Sequence, residues 1–331
     1  MWRRRRSPSA HGGAAPSDSS PSDASSVDLR VRVGTIELPN PVMVASGTAG
    51  HSTELSGYVD LARLGAFVVK SLHVDPWAGN PGPRVHPLSA GMINSVGLQG
   101  PGVAGWLGDG CRRLLDAGVE RIVVSIWGRT VAEYAAAAAA LAAAPPEVIA
   151  VEVNLSCPNL DGGRHLFAHD EAQSADVIAA CSVAGRPLWA KLSPNTDRTA
   201  AVAGAVREAG AEAVTLTNTL LGMVIDTETR RPVLGGGGGG VSGPAMHAVA
   251  VRQVYDCAIA HPDLALVGVG GVASTRDVIE FLLAGASACQ IGTANFADPS
   301  TCARLIDGVE AWCRAHDITA IGELTGGAHE R

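Results

Sequence analysis

Ile122-Val-Val-Ser-Ile126, the alanine run Ala135 to Ala144, Pro145-Pro146 and Ile149-Ala-Val-Glu-Val-Asn154 follow one another in the order strand, helix, stop, strand. The first and last pieces are short apolar runs rich in β-branched residues, as expected of strands buried on both faces. Between them, Thr130 with Glu133 spells a capping box ahead of the alanines, and the double proline ends the helix. A strand, a helix and a second strand of this spacing form a crossover unit, which makes the two strands parallel.

Outward from this unit the same alternation repeats. It predicts strands over Val42 to Ser46, Phe67 to Lys70, Ile122 to Ile126, Ile149 to Asn154, Leu188 to Leu192, Ala213 to Thr217, Leu264 to Gly268 and Ala288 to Ile291. A second capping box, Ser274 with Asp277, opens a helix that Gly285 closes. Eight such units predict an α/β fold of the (β/α)8 TIM-barrel type over residues 28–331. Residues 1–27 differ: Arg3 to Arg6 precede a Ser/Pro/Gly/Ala/Asp stretch with almost no apolar residue, and a disordered tail is expected there. No apolar segment follows the arginines as a secretory signal would need, and an organellar address is the second reading of the tail.

Composition narrows the function. Of 331 residues 47% are hydrophobic and only 4% aromatic, so the core must be built from small and β-branched side chains. A net charge of −7 argues against nucleic acid as partner, since phosphate-backbone binding needs an excess of Lys and Arg. The seven cysteines have no Cys-x-x-Cys spacing and no clustered histidines, so no metal or cluster site is readable. The sequence has no uninterrupted apolar run long enough to span a bilayer, and a cytoplasmic protein is expected.

Two segments break the rhythm, and both follow strands on the face where barrel active sites form. Residues 71–110, after the second strand, carry six glycines from Gly79 to Gly102 with Pro76, Pro81, Pro83 and Pro87. Residues 222–243, after the sixth, contain Gly235 to Gly240. They read as an extended lid and a Gly-rich wall over a ligand. A loose linker competes with that reading for the first half of the glycine run. Its end, Gly240-Val-Ser-Gly-Pro244, leads into a helix and suits an anion or carbonyl contact.

The strand ends themselves are polar: Ser46-Gly47-Thr48, Lys70-Ser71, Ser125, Asn154, Lys191, Thr217-Asn218-Thr219, Gly268 to Gly271 and Gly292-Thr293. The glycine turns after strands seven and eight match the phosphate site that barrels often build there. Lys70 and Lys191 each close an apolar strand, and a buried ammonium needs an anionic partner. A reduced flavin supplies one; a salt bridge to a neighbour such as Glu152, or a Schiff base of the lyase or aldolase kind, are the other readings. Six of the seven cysteines read as apolar fillers. Cys157 stands apart in the polar loop Asn154-Leu-Ser-Cys-Pro-Asn159, where a thiol is an available proton acceptor.

Ordered along residues 28–297 are Asn40-Pro-Val-Met-Val-Ala-Ser-Gly-Thr48, Lys70-Ser71, Asn80-Pro-Gly-Pro-Arg84, Gly91-Met-Ile-Asn-Ser-Val-Gly-Leu-Gln99, Asn154-Leu-Ser-Cys-Pro-Asn159, Lys191-Leu-Ser-Pro194, Asn218-Thr-Leu-Leu-Gly-Met223, Gly240-Val-Ser-Gly-Pro-Ala245 and Gly292-Thr-Ala-Asn-Phe296. With these motifs the sequence resembles the class 1 dihydroorotate dehydrogenase family. The resemblance implies FMN-dependent oxidation of dihydroorotate to orotate in pyrimidine biosynthesis. It implies FMN contacts at Ala45, Ser46, Lys70, Ser71, Ser125, Asn154, Lys191, Thr217, Gly243, Gly270, Gly271, Gly292 and Thr293. It implies substrate contacts at Lys70, Asn94, Val96, Gly97, Leu98, Asn154, Asn159, Asn218 and Thr219. Cys157 becomes the base that takes the C5 proton while hydride leaves C6; class 2 members use serine, so the cysteine favours class 1.

Within class 1, Ser125 with Ile126-Trp-Gly-Arg-Thr-Val-Ala-Glu-Tyr134, and Gly97-Leu-Gln99 after Asn94, are similar to the NAD-linked (class 1B) type. That implies a homodimeric core and a separate electron-transfer subunit with FAD and a 2Fe–2S cluster. Two departures bear on substrate and electron acceptor: Gly100 replaces the usual Asn, and His86-Pro87 replace an Ala-Glu pair. A related FMN dehydrogenase acting on another dihydropyrimidine or ring is therefore the alternative.

Overall fold

The computed structural model describes residues 27–156 and 166–329. The expected tail, all but Val27, lies outside them. So do Cys157 and Asn159.

Eight strands form a closed barrel: β1 Val42–Val44, β2 Phe67–Leu72, β3 Ile122–Ile126, β4 Val148–Asn154, β5 Leu188–Lys191, β6 Ala213–Leu216, β7 Ala265–Val269 and β8 Ala288–Ile291. Each strand pairs in parallel with the next, and β8 pairs with β1 to close the ring. The (β/α)8 expectation is borne out, with ends shifted by one or a few residues. Helices on one face and packed side chains on the other explain why every residue of β1, β3, β5, β6 and β8 is buried.

The capping signals hold unequally. Ser274 and Asp277 form the full reciprocal box ahead of the helix Thr275–Leu283, and Gly285 follows its end at φ 112°. At Val131–Ala140 only half of the predicted box forms. Thr130 Oγ1 accepts from Glu133 N–H, but the Glu133 carboxylate accepts from Arg129 N–H and from its guanidinium instead of turning back to Thr130. This helix ends at Ala140, before the last alanines of the run.

The two irregular segments meet. Leu220–Gly222, Gly239–Ser242, Gly91–Asn94 and Val85–Leu88 form one four-stranded antiparallel sheet in that order, with Gly240 opposite Asn94 and Val241 opposite Ile93. The glycine run is the material of this contact. A Cβ on Gly239 would stand 2.4 Å from the Asn94 carbonyl oxygen, and one on Gly235 2.5 Å from that of Gly82. The linker reading is thereby corrected: at Gly235, Gly236, Gly239 and Gly240 the neighbours approach too closely for a side chain.

At the opposite end the hairpin Val31–Val33/Ile36–Leu38 covers the barrel floor. Val33 and Leu38 are fully buried, and the Thr35 N–H and hydroxyl both donate to Glu212, which precedes β6.

Candidate active site

Polar side chains fill the upper half of the barrel. Glu152 on β4, Thr215 on β6 and Gln290 on β8 share one layer, as residues of alternate strands do in such barrels. Gln290 Nε2 donates to Glu152 Oε2 at 2.6 Å, and Thr215 Oγ1 lies 3.4 Å from the same oxygen. Above them, Lys191 Nζ donates to Gln290 Oε1 at 3.0 Å and to Ser46 Oγ at 3.3 Å, and stands 3.6 Å from Glu152 Oε1. Lys191 makes the ion pair with Glu152 that is one of the readings open for it.

Lys70 is different. Its ammonium has no hydrogen bond and no carboxylate within ion-pair distance among the described residues. Arg84, the cation it senses, is likewise without a carboxylate. Its guanidinium donates to the carbonyls of Asn80 and Ala78 and to Gln99 Oε1. Burial, and then the charge of Arg84, hold the Lys70 ammonium below the ordinary lysine range. Two neighbouring cations with no carboxylate in ion-pair contact among the described residues make a place that favours an anion.

A chain of hydrogen bonds links the other strand ends. The Ser71 and Ser125 hydroxyls hydrogen-bond at 2.9 Å between Oγ atoms, Asn154 Nδ2 donates to Ser71 Oγ at 3.4 Å, and Asn218 Nδ2 donates to Asn154 Oδ1 at 3.1 Å. Tyr134 OH donates to the Asn154 carbonyl at 2.6 Å, and Ser156 N–H to its Oδ1. Asn154 is thus fixed from three sides at the point where the chain enters 157–165. Thr219 N–H donates to Asn218 Oδ1, which carries the network to the lid. From the other loop, Asn94 Nδ2 reaches the Gly240 carbonyl at 3.4 Å. Val96, Gly97 and Leu98 form the bend beside it, with Gly97 and Leu98 both at positive φ and Asn80 N–H donating to the Val96 carbonyl.

The glycine turns converge as well. Ala45 N–H donates to the Ile291 carbonyl, and Gly292 faces Ala45 across a gap in which an added Cβ would make ordinary contact at 3.7 Å. Thr293 Oγ1 hydrogen-bonds Ser242 Oγ at 2.7 Å. Thr217 N–H donates to the Val269 carbonyl, next to Gly270. A Cβ on Gly271, at φ 72°, would stand 2.7 Å from His247 Cβ and 3.0 Å from the Gly243 carbonyl oxygen. Gly271→Ala is expected to cost roughly 1–3 kcal/mol of stability, the range for a strained backbone with a close contact, read as a lowered Tm.

Among the predicted site residues, contacts join Lys191 to Ser46, Ser71 to Ser125, Asn154, Asn218 and Thr219 in one chain, and Gly271 to Gly243; Cys157 and Asn159 lie outside the described residues. The other six cysteines are buried, and desolvation pushes the thiols of Cys181, Cys257 and Cys302 up to about 12. Among the described residues, one group of possible metal ligands, His247, Asp277 and Glu280, is partly exposed. His247 there ties the Gly270 carbonyl to the helix Thr275–Leu283.

The sequence profile of the dihydroorotate dehydrogenase family matches residues 28–312. The chain belongs to the dihydroorotate dehydrogenase family. It is similar to a protein of Pelobacter propionicus, 43% identical over 300 residues, 90% of this chain and 98% of that one. It is similar to one of Trichlorobacter lovleyi at 44% over 299 residues, 90% and 97% of the two chains. A protein of Desulforudis audaxviator is 45% identical over 304 residues, 92% and 98% of the two. All three are called dihydroorotate dehydrogenase B (NAD(+)), catalytic subunit.

Three residues of this family member were not singled out as site residues by sequence. Gln290 had one visible sign, the lone amide in the apolar strand Ala288–Ile291. Arg84 was visible only as part of a motif. His51 gave none: its Nε2 is buried without a hydrogen bond and stands 3.0 Å from where a Cβ on Gly100 would be. The ring occupies the space that any side chain at position 100 would enter. Burial, and then Lys70, lower the titration of His51.

Proposed function

We propose that this chain is the catalytic subunit of an NAD-linked dihydroorotate dehydrogenase, oxidising dihydroorotate to orotate in pyrimidine biosynthesis with FMN at the mouth of the barrel. The observation that carries the reading is Lys70, a part-buried ammonium with no carboxylate in ion-pair contact among the described residues, beside Arg84, whose guanidinium donates to carbonyl and amide oxygens. The residues present fit FMN on two further counts. The turns at Gly243, Gly270 and Gly271 all run at positive φ, with Gly271 close against the Gly243 carbonyl, a backbone arrangement that suits a phosphate. Ser71, Ser125, Asn154 and Asn218 offer a row of amide and hydroxyl groups for a polar ring edge.

FMN, when bound, supplies the acceptor for the hydride that leaves C6 of dihydroorotate. The chain's own residues do the rest. Lys70, Ser71, Ser125, Asn154, Lys191 and Thr217 hold the ring system with Ala45 and Ser46, while Gly243, Gly270, Gly271, Gly292 and Thr293 hold the phosphate. Asn94, Val96, Gly97, Leu98, Asn154, Asn159, Asn218 and Thr219 orient the pyrimidine, with Lys70 next to its charge. Cys157 Sγ takes the C5 proton. The lid sheet excludes water from these groups.

The names of the relatives favour electron exit to NAD through a separate subunit, for which we propose FAD and a 2Fe–2S cluster as carriers. A homodimeric core in the cytoplasm completes the reading; among the described residues no helix is long and apolar enough to cross a membrane. A Schiff base at Lys191 is disfavoured, because its Nζ is already engaged by Gln290, Ser46 and Glu152. The experiment is anaerobic mixing of the yellow protein with dihydroorotate, and loss of flavin absorbance is expected. An FMN protein that dihydroorotate leaves oxidised but another dihydropyrimidine bleaches would transfer the reading to that ring. A colourless protein that takes up no FMN would end it.

A further inference from the structure

The two lysines of the site are not electrostatically equivalent. Lys191 rests on a carboxylate that is itself wholly enclosed: Glu152 is 0% exposed. Its Oε2 accepts from Gln290 and Thr215, while its Oε1 has no hydrogen bond and faces Lys191 Nζ at 3.6 Å. Gln290 spans both partners, donating to the carboxylate through Nε2 and accepting from the ammonium through Oε1. A buried carboxylate needs a countercharge, and Lys191 is the cation in ion-pair contact with it among the described residues. The pair is therefore close to neutral as a unit, and the net positive charge of the cavity comes from Lys70 and Arg84.

We propose that Glu152 is a positioning residue acting through Lys191: together with Gln290 it fixes the ammonium under the flavin and cancels its charge, which lowers the reduction potential of bound FMN. The inference rests on the reading that FMN occupies this cavity. Two-electron reduction adds negative charge to the ring, and the charge held near the ring sets how readily that happens. An unpaired Lys191 would favour the reduced form; the Glu152 carboxylate beneath it removes that bias. Nothing in the chemistry of substrate binding calls for such a carboxylate, since Glu152 lies below Lys191 and is fully enclosed.

Glu152→Gln keeps the shape and removes the charge. The FMN reduction potential of this variant, measured on the holoprotein against a reference dye, is expected to rise by at least a tenfold change in the reduction equilibrium, about 30 mV for a two-electron couple. Glu152→Asp keeps the charge and shortens the reach, and should lie closer to wild type. A Glu152→Gln potential equal to wild type overturns the proposal, since the carboxyl would then carry no charge that the flavin senses. Equal shifts in Gln and Asp variants overturn it too, because shape alone would be acting. Should either variant fail to retain FMN, titrating the apoprotein with FMN beside Gln290→Leu separates the cases. Weakened binding in Gln290→Leu, which leaves both charges, supports the positioning role, and unchanged binding there overturns it. A wild-type protein that binds no FMN would sink the flavin reading itself, an outcome visible before any variant is compared.

Discussion

Cys157→Ala is expected to slow flavin reduction by dihydroorotate by roughly 10²–10⁴-fold, the usual range for removing a general base, while leaving FMN bound. The case is built from its neighbours. Asn154 closes β4 and is held by Tyr134, Ser156 and Asn218, so the segment carrying Cys157 departs from a fixed point beside the cavity. The other six cysteines are buried, and burial alone explains the upward shift at Cys181. Stopped-flow absorbance under anaerobic conditions is the measurement. Cys313→Ala, a change in the last long helix Thr301–Ala315, serves as the control and should reduce at the wild-type rate. The pH dependence carries the sign of a base: reduction accelerates as pH rises through ionisation of the thiol and then levels off. Cys157→Ser moves that rise to higher pH, because a hydroxyl ionises less readily than a thiol. Wild-type reduction by Cys157→Ala would remove the cysteine from the mechanism.

Much of this could be read from the sequence because barrel strands announce themselves locally. The run Ile122-Val-Val-Ser-Ile126 is buried at every position, and its composition says so without reference to any other part of the chain. The lid sheet is another matter. Asn94 and Gly240 are 146 residues apart, and the glycines that let their backbones meet carry no pattern that specifies a partner or a register. A glycine run looks the same in sequence whether it is a linker or a close contact. The floor of the site was hidden for a third reason. Lys191, Glu152 and Gln290 lie on three different strands, and only closure of the barrel decides whether Lys191 faces a carboxylate or a vacant cavity. The two lysines look alike as strand-terminal residues, and the difference between them is tertiary.

That difference yields the second large effect. Lys70→Met should weaken FMN or orotate binding by about two orders of magnitude, near 2.7 kcal/mol at 1.36 kcal/mol per tenfold. The same change should make the apoprotein more stable by roughly 1 kcal/mol, because an enclosed ammonium without an anion is replaced by an apolar side chain of similar length. Opposite signs in one variant are what separates a group kept for its ligand from one kept for the fold. The pH behaviour follows from the direction of the shift. Lys70 titrates below the ordinary 10.5 when folded and near it when unfolded. Between those two values the unfolded chain binds the extra proton, so the stability of the apoprotein rises with pH across that window. Below both, the full cost of burying the ammonium is present. Anion binding runs the other way and is lost as pH rises through the lowered value. In Lys70→Met both dependences should flatten, and His51, relieved of the neighbouring charge that is the second cause of its depression, should titrate at higher pH. Thermal unfolding of the apoprotein with and without added FMN, over pH, reads all of this at once. If Lys70→Met lowers apoprotein stability while FMN affinity is unchanged, Lys70 is a structural cation, and the anion-binding role proposed for this end of the barrel is wrong.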